Sequence, residues 1–270
     1  MKILQFLGWS LAFIVFTYVL ICLLLYLIQE RFIFYPTQIP EDYPFNQFDN
    51  FEEKWFTAED GARIHALHFL CPEPRGIILY LHGNSRGLDD WGHNAQDFVS
   101  RNFEVLMMDY RGYGKSRGRL SEKAINGDVQ MLYEWIQQKW PESKIVVYGR
   151  SLGTGPATTL TLHHQPGLLI LETPYTSLTD MARLVLPYFP INGLLKYRFN
   201  NLKKIAKLSS PVHLFHGTDD ELIPYRQAQR LVKKSGRPDV LTTIDNGMHN
   251  NLPDYEAYQH KLTALLDGIK

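Results

Sequence analysis

The stretch Lys144 to Leu160, KIVVYGRSLGTGPATTL, constrains the fold of this chain more than any other. Ile145, Val146, Val147 and Tyr148 form a short apolar, β-branched run, the signature of a buried strand. The run breaks at Gly149-Arg150-Ser151-Leu152-Gly153, and a small-residue helical segment follows at once. A strand that becomes a helix within so few residues needs glycine wherever side chains would collide. Such a turn leaves its central side chain, here Ser151, above the sheet edge with a helix N-terminus beneath it. This is the G-x-S-x-G turn, and its flanks give weight to an otherwise weak pentapeptide.

The rest of the chain supplies the sheet that such a turn requires. Ile77 to Leu81 is a continuous apolar run, as expected of a strand covered on both faces, and it stops at His82-Gly83-Asn84. Phe103 to Met108 is the next strand and ends in Asp109-Tyr110-Arg111-Gly112-Tyr113-Gly114. Helices are predicted over Trp91 to Arg101, after a Ser121 cap with Ile125, Val129, Leu132 and Ile136 on one stripe, after Ser151, near Tyr225 to Lys233, and at the C-terminus. Further strands are predicted at Leu168 to Leu171, Val212 to Phe215 and Val240 to Ile244. Phe51 to Thr57 and Ala62 to Phe69 read as a hairpin around Glu59-Asp60-Gly61. Strands alternating with helices imply an α/β fold with a mostly parallel central sheet and helices on both faces. Residues 174–208 break the alternation with prolines, the apolar run Leu184 to Ile191 and the basic Lys203, Lys204 and Lys207. The segment is too long for a simple connection and is expected to form a small cap-like insertion over the sheet edge.

The N-terminus is a different kind of segment. From Ile3 to Ile28 no residue is charged. At about 1.5 Å per residue the run reaches roughly 39 Å as a helix, more than the ~30 Å of a hydrocarbon core. It ends without a small-residue cleavage pattern, so an uncleaved transmembrane anchor is expected rather than a signal peptide. Lys2 and the terminal amine precede the run, while Glu30 and Arg31 offset each other after it. Basic residues therefore place the N-terminus on the cytoplasmic side and the bulk of the chain on the other. Aromatics and prolines between Phe32 and Phe51 suggest an interfacial linker. The expected organisation is an anchor at 1–30, an interfacial linker at 31–50 and one domain at 51–270. The 270 residues carry a formal net charge of zero, which gives nucleic acid no basic face to bind. Cys22 and Cys71 lie in unrelated segments, which excludes a disulfide framework.

A serine hydroxyl attacks a carbonyl only when a base accepts its proton, an acid holds that base, and donors receive the oxyanion. Gly114-Lys115-Ser116-Arg117-Gly118 repeats the pentapeptide, but it starts well after its strand has ended and Arg119-Leu120 delay the next helix, so Ser116 is rejected. Gly114-Lys115-Ser116 also fails as a phosphate loop, because its required first glycine would fall on Asp109. Of ten histidines, His65, His68 and His213 lie on strands and His163, His164 and His260 on helices. His82 and His216 precede glycines at strand ends, where a structural hydrogen bond is the expected role. His249 is the candidate, in the loop Asn246-Gly247-Met248-His249 between the last strand and the last helix, where a ring could reach a strand-edge serine. The acid is expected after Phe215, where Asp219, Asp220 and Glu221 follow one another; Asp220 is preferred, Asp219 is second, and Glu172 is a rival from the neighbouring loop. The oxyanion donors are expected to be the backbone N–H groups of Leu152 and Asn84.

These residues resemble those of the α/β-hydrolase superfamily of serine hydrolases, in particular a membrane-anchored branch. The motifs are His82-Gly83-Asn84, Asp109 to Gly114, Gly149 to Gly153, His216 to Asp220 and Gly247-Met248-His249, in that order, from Phe51 to the C-terminus. The resemblance implies Asp220 rather than Asp219 as the acid. It implies an esterase, lipase or thioesterase working through an acyl-enzyme, without a metal or cofactor, and the membrane anchor and apolar cap favour lipid-like or acylated substrates. An amide or peptide hydrolase would use the same triad, and a non-catalytic membrane-tethered binding protein would have no reason to keep it. Ser85-Arg86-Gly87 departs from the small residues that follow His-Gly-Asn in many relatives, and Arg86 raises the question of a charge preference at the oxyanion loop.

Overall fold

The central sheet is built so that its innermost strands end beside one another. In the computed structural model, which describes residues 2–269, the strands are β1 (Phe51–Thr57), β2 (Arg63–Phe69), β3 (Gly76–Leu81), β4 (Phe103–Met108), β5 (Ile145–Arg150), β6 (Leu168–Glu172), β7 (Val212–Gly217) and β8 (Leu241–Ile244). Their spatial order is β8-β7-β6-β5-β3-β4-β2-β1. β1 and β2 form an antiparallel hairpin, β2 runs antiparallel to β4, and all remaining pairs are parallel. The chain steps from β3 outward to β4 and then back across to β5. The loops leaving β3 and β5 therefore diverge, which opens a crevice at the carboxyl ends of these strands, the usual ligand position in open α/β sheets.

Both faces of the inner strands are covered, and strand alternation divides their side chains into two cores. Leu79, Val147 and Leu169 face one core, which takes Ile125, Val129, Leu132 and Ile136 of α2 (Glu122–Gln137) and Ala157 and Leu160 of α3 (Thr154–Leu160). Ile78, Val146 and Ile170 face the other, with Phe98, Tyr258, Leu262 and Leu266. The Ser121 hydroxyl caps α2 by accepting the Ala124 N–H at 3.0 Å, which supplies about 1 kcal/mol. The single helix predicted over Trp91 to Arg101 is instead two helical turns, Leu88–Trp91 and Gln96–Val99, joined by a 3₁₀ turn at Gly92–Ala95. Gly92 lies flush against the Phe48 ring, which would be 2.5 Å from a Cβ there; glycine is also a weak helix former. His163 and His164 sit in the turn beyond α3 rather than within a helix.

The N-terminal helix, α1 (Lys2–Ile28), has no buried residue and a mean hydropathy of 2.8 in its most apolar window. It is long and apolar enough to cross a membrane. Its end is fastened to the domain. The Gln29 side chain donates to the Leu194 carbonyl at 3.0 Å and accepts the Lys196 N–H at 2.7 Å, and the Tyr197 hydroxyl donates to Glu30 at 2.8 Å. The interfacial expectation for 31–50 needs correction at Phe34, Ile39 and Phe45, which are buried in the two cores. Tyr35-Pro36 pairs in parallel with Ser85-Arg86. Phe32 and Tyr35 stay exposed. Residues 174–208 contain α4 (Leu178–Val185), capped by Ser177, and short helices at Ile191–Leu194 and Asn201–Lys204.

Candidate active site

β5 ends at Arg150, a single 3₁₀ turn covers Ser151–Gly153, and α3 starts at Thr154. So abrupt a turn holds Ser151 at φ +51°, in the left-handed region that non-glycine residues rarely occupy. The two flanking glycines make it possible. A Cβ on Gly149 would lie 2.6 Å from the Gly153 carbonyl oxygen, and one on Gly153 would lie 2.0 Å from the Leu81 carbonyl oxygen.

Two loops deliver partners to this serine. His249 comes from the loop after β8; its Nε2 is 3.1 Å from Ser151 Oγ and its Nδ1 is 2.9 Å from Asp220 Oδ2. Asp220 follows β7, and its other oxygen accepts the N–H groups of Leu222 and Ile223 at 2.9 and 2.7 Å. The His216 ring approaches Asp220 Oδ2 at 3.2 Å. Burial opposes ionisation of Asp220, but the hydrogen bonds from His216 and His249 and the Ile223 N–H outweigh it and hold the carboxyl well below its ordinary value. A carboxylate at Nδ1 selects the imidazole tautomer that leaves Nε2 free to accept a proton from Oγ. The structure thus brings Ser151, His249 and Asp220 into one hydrogen-bonded chain.

The rival residues are engaged elsewhere. Asp219 is exposed, and its side chain accepts from Thr218 at 3.1 Å. Glu172 is buried against the Tyr148 and Tyr258 hydroxyls and forms an ion pair with Arg150 at 3.2 Å. Ser116 is buried; its hydroxyl donates to the Asp109 carbonyl and accepts the His65 N–H, both at 2.8 Å. His82 makes the expected structural bond, 2.8 Å from Nδ1 to the Gly83 carbonyl oxygen.

The loop after β3 closes the site. A Cβ on Gly83 would stand 3.7 Å from the Ser151 Cβ. The Asn84 carbonyl accepts from the Tyr113 hydroxyl at 2.7 Å, and the Asn84 side chain donates to Ile33 at 2.8 Å. These bonds leave the Asn84 N–H without an acceptor among the described residues. Asn84 and Leu152 line the same cavity as Ser151 and His249. Arg86 does not aim its charge at this loop, because its guanidinium is paired with Asp90 at 2.7 Å. The cavity measures about 800 Å³, and its remaining walls are almost wholly apolar.

Several contributors were not singled out from the sequence. Arg150, the variable residue just before Ser151, reaches Asn250 Oδ1 at 3.2 Å and lies over the Trp91 ring at 5.1 Å, tying the serine turn to the His249 loop. A charged residue at the end of a buried strand was the available signal. His216 makes the structural hydrogen bond expected of it, 2.8 Å from Nε2 to the Ile223 carbonyl oxygen, and Glu221 accepts the His249 N–H at 3.2 Å.

Comparison with known proteins identifies the family. The family model described as serine aminopeptidase, S33, matches residues 72–203. Alpha/beta hydrolase domain-containing protein 17B of Xenopus laevis is 31% identical over 210 residues, covering 75% of this chain and 70% of the relative. Lysophosphatidylserine lipase ABHD12 of Danio rerio is 33% identical over 178 residues, covering 57% of this chain and 46% of the relative. Among solved structures, the Pyrococcus furiosus esterase Pf2001 superposes with a TM-score of 0.69 at 16% identity, covering 88% of this chain and 97% of the esterase, which speaks to the fold. By sequence, sheet order and the serine turn alike, the chain belongs to the α/β-hydrolase superfamily.

Proposed function

We propose that this protein is a membrane-anchored serine hydrolase that cleaves acyl esters or thioesters of lipid-like or acylated substrates. The observation that carries the proposal is the hydrogen-bonded chain Asp220–His249–Ser151 opening into an apolar cavity. Ser151 Oγ attacks the acyl carbonyl while His249 Nε2 takes its proton, and the carbonyl oxygen becomes an oxyanion held by the N–H groups of Asn84 and Leu152. Each such donor is worth about 3 kcal/mol in the transition state. Collapse breaks the bond to the alcohol or thiol, which leaves with the proton from His249, and the acyl group stays on Ser151. Water then repeats the sequence and releases the carboxylic acid. Asp220 orients the imidazole throughout and stabilises its charged form.

The relative named as a lysophosphatidylserine lipase supports an ester substrate. The α1 helix supports a membrane anchor, with the domain on the non-cytoplasmic side by the charge bias around it, and residues 174–208 act as a cap over the site. The serine aminopeptidase description of the family model favours a second reading, an amide hydrolase on the same triad. Labelling with a fluorophosphonate and turnover of a short-chain aryl ester test the first reading. Both should occur in the full chain and disappear in Ser151→Ala. An unlabelled Ser151 in folded protein would sink the proposal, and faster turnover of aminoacyl amides than of esters would favour the second reading.

A further inference from the structure

The lining of the cavity crosses from the domain into the N-terminal helix. Leu25 of α1, Gln29 just past its end, and Phe32 and Ile33 of the short helix Glu30–Ile33 line it, at spacings that place them on one helical face. Leu178, Met181 and Val185 of α4 line the same cavity, as do Ser151 and His249. The cap also touches α1 far from its end. The Tyr18 hydroxyl donates to the Tyr188 carbonyl at 3.0 Å, and the Tyr18 ring stacks on Phe189 with centroids 5.5 Å apart.

These contacts fix a depth. A hydrocarbon core of ~30 Å takes about 20 helical residues. Counted from Ile3, just past the charged Lys2, a span of that length runs at least to about Cys22, and at most to Ile28. Tyr18 then lies between about 6 and about 15 Å inside the apolar layer on the side of the domain. Tyr188 and Phe189 lie beside it. The cap tip is built for that position: Leu184 to Ile191 contains no charge, Tyr188 is 88% exposed and Val185 is 78% exposed. A contiguous exposed apolar patch of this kind marks a membrane or partner contact, and α1 beside it identifies the membrane.

We propose that the cap tip is immersed in the leaflet and that the acyl chain of a bilayer lipid enters sideways, between α1 and α4, to reach Ser151 without crossing water. The segment Leu25–Ile33, where α1 meets the domain, is then one wall of the acyl site as well as the foot of an anchor. The proposal rests on the serine hydrolase reading above. It is tested with the full chain in phosphatidylcholine vesicles and an alkyl fluorophosphonate whose long tail ends in a diazirine. The expected result is phosphonylation of Ser151 with the tail photocrosslinked to the peptide Leu25–Ile33. Phosphonylated Ser151 with crosslinks only outside Leu25–Ile33 overturns the shared wall while leaving the hydrolase reading intact. Absence of phosphonylation overturns both. The immersed tip is read separately, with a fluorophore on Tyr188→Cys in a Cys22→Ser, Cys71→Ser background. Quenching by lipids labelled along the acyl chain is expected, and quenching by aqueous iodide alone overturns immersion.

Discussion

Gly114 to Gly118 and Gly149 to Gly153 share one five-residue pattern, yet their serines end in opposite states. Ser116 is buried with its hydroxyl consumed by backbone, donating to Asp109 and accepting from His65. Ser151 is held at φ +51° on a turn so tight that its backbone cannot absorb the hydroxyl, which faces His249 and the cavity. The pair shows that one pentapeptide can leave a serine hydroxyl facing a cavity or consume it in backbone bonds, according to the fold around it. Glycines in the pattern do different work in each place. Those at 149 and 153 let a strand, a turn and a helix pass within contact of β3, whereas Gly114 lies against the Asp109 carboxylate.

The comparison can be broken most directly by alanine at each serine. Ser151→Ala should lower kcat on a short-chain aryl ester by about 10⁴-fold or more, whereas Ser116→Ala should stay within a few-fold; equal losses would erase the distinction. The two adjacent aspartates sharpen it next. Asp220→Asn should lower kcat by roughly 10³–10⁴-fold by disturbing the His249 tautomer, while Asp219→Asn, at an exposed side chain bonded to Thr218, should change it by less than about fivefold. Stability should invert the ranking of the serines. Urea unfolding of Ser116→Ala should show a loss of about 1–2 kcal/mol, since the buried His65 N–H loses its acceptor, against less than about 1 kcal/mol for Ser151→Ala.

The smallest effect is in pH. Asp220 is held below its ordinary value in the folded chain, so its ionisation favours folding. That contribution is complete above the ordinary aspartate pKa of about 3.9 and is lost as pH falls from there through the folded value. The difference in unfolding midpoint between wild type and Asp220→Asn should be level from about pH 7 to 5 and narrow below about 4. The Ser116→Ala deficit, whose lost partners are backbone atoms, should not follow that curve. A narrowing already present between pH 7 and 5 would mean that another group governs the Asp220 contact.

Much of this was legible because it is local. The Ile145 to Tyr148 run and its glycines specify a buried strand with a sharp exit, and Ser121 specifies a helix start. His249 and Asp220 emerged by exclusion and by resemblance to a family. What escaped depends on contacts between distant segments. Nothing near Gly92 shows that the Phe48 ring will lie against it, or that the helical run will tighten to a 3₁₀ turn there. Nothing near Phe34 or Phe45 distinguishes a ring bound for a membrane surface from one bound for a core, because both need the same apolar face. Arg150 looked like a variable residue until Asn250, Trp91 and Glu172 were placed around it.

Gln29 fills two backbone positions at once, giving a proton to Leu194 and taking one from Lys196 as a neighbouring strand would. A tether joined in this way has no slack. The domain cannot swing about α1, so with that helix in a bilayer the serine stands at one fixed height above the lipids directly beneath it. For a lipid substrate, supply is then two-dimensional. Turnover should follow the mole fraction of substrate in the surrounding leaflet, falling when the substrate is thinned with inert lipid and holding steady when the vesicles are thinned with buffer.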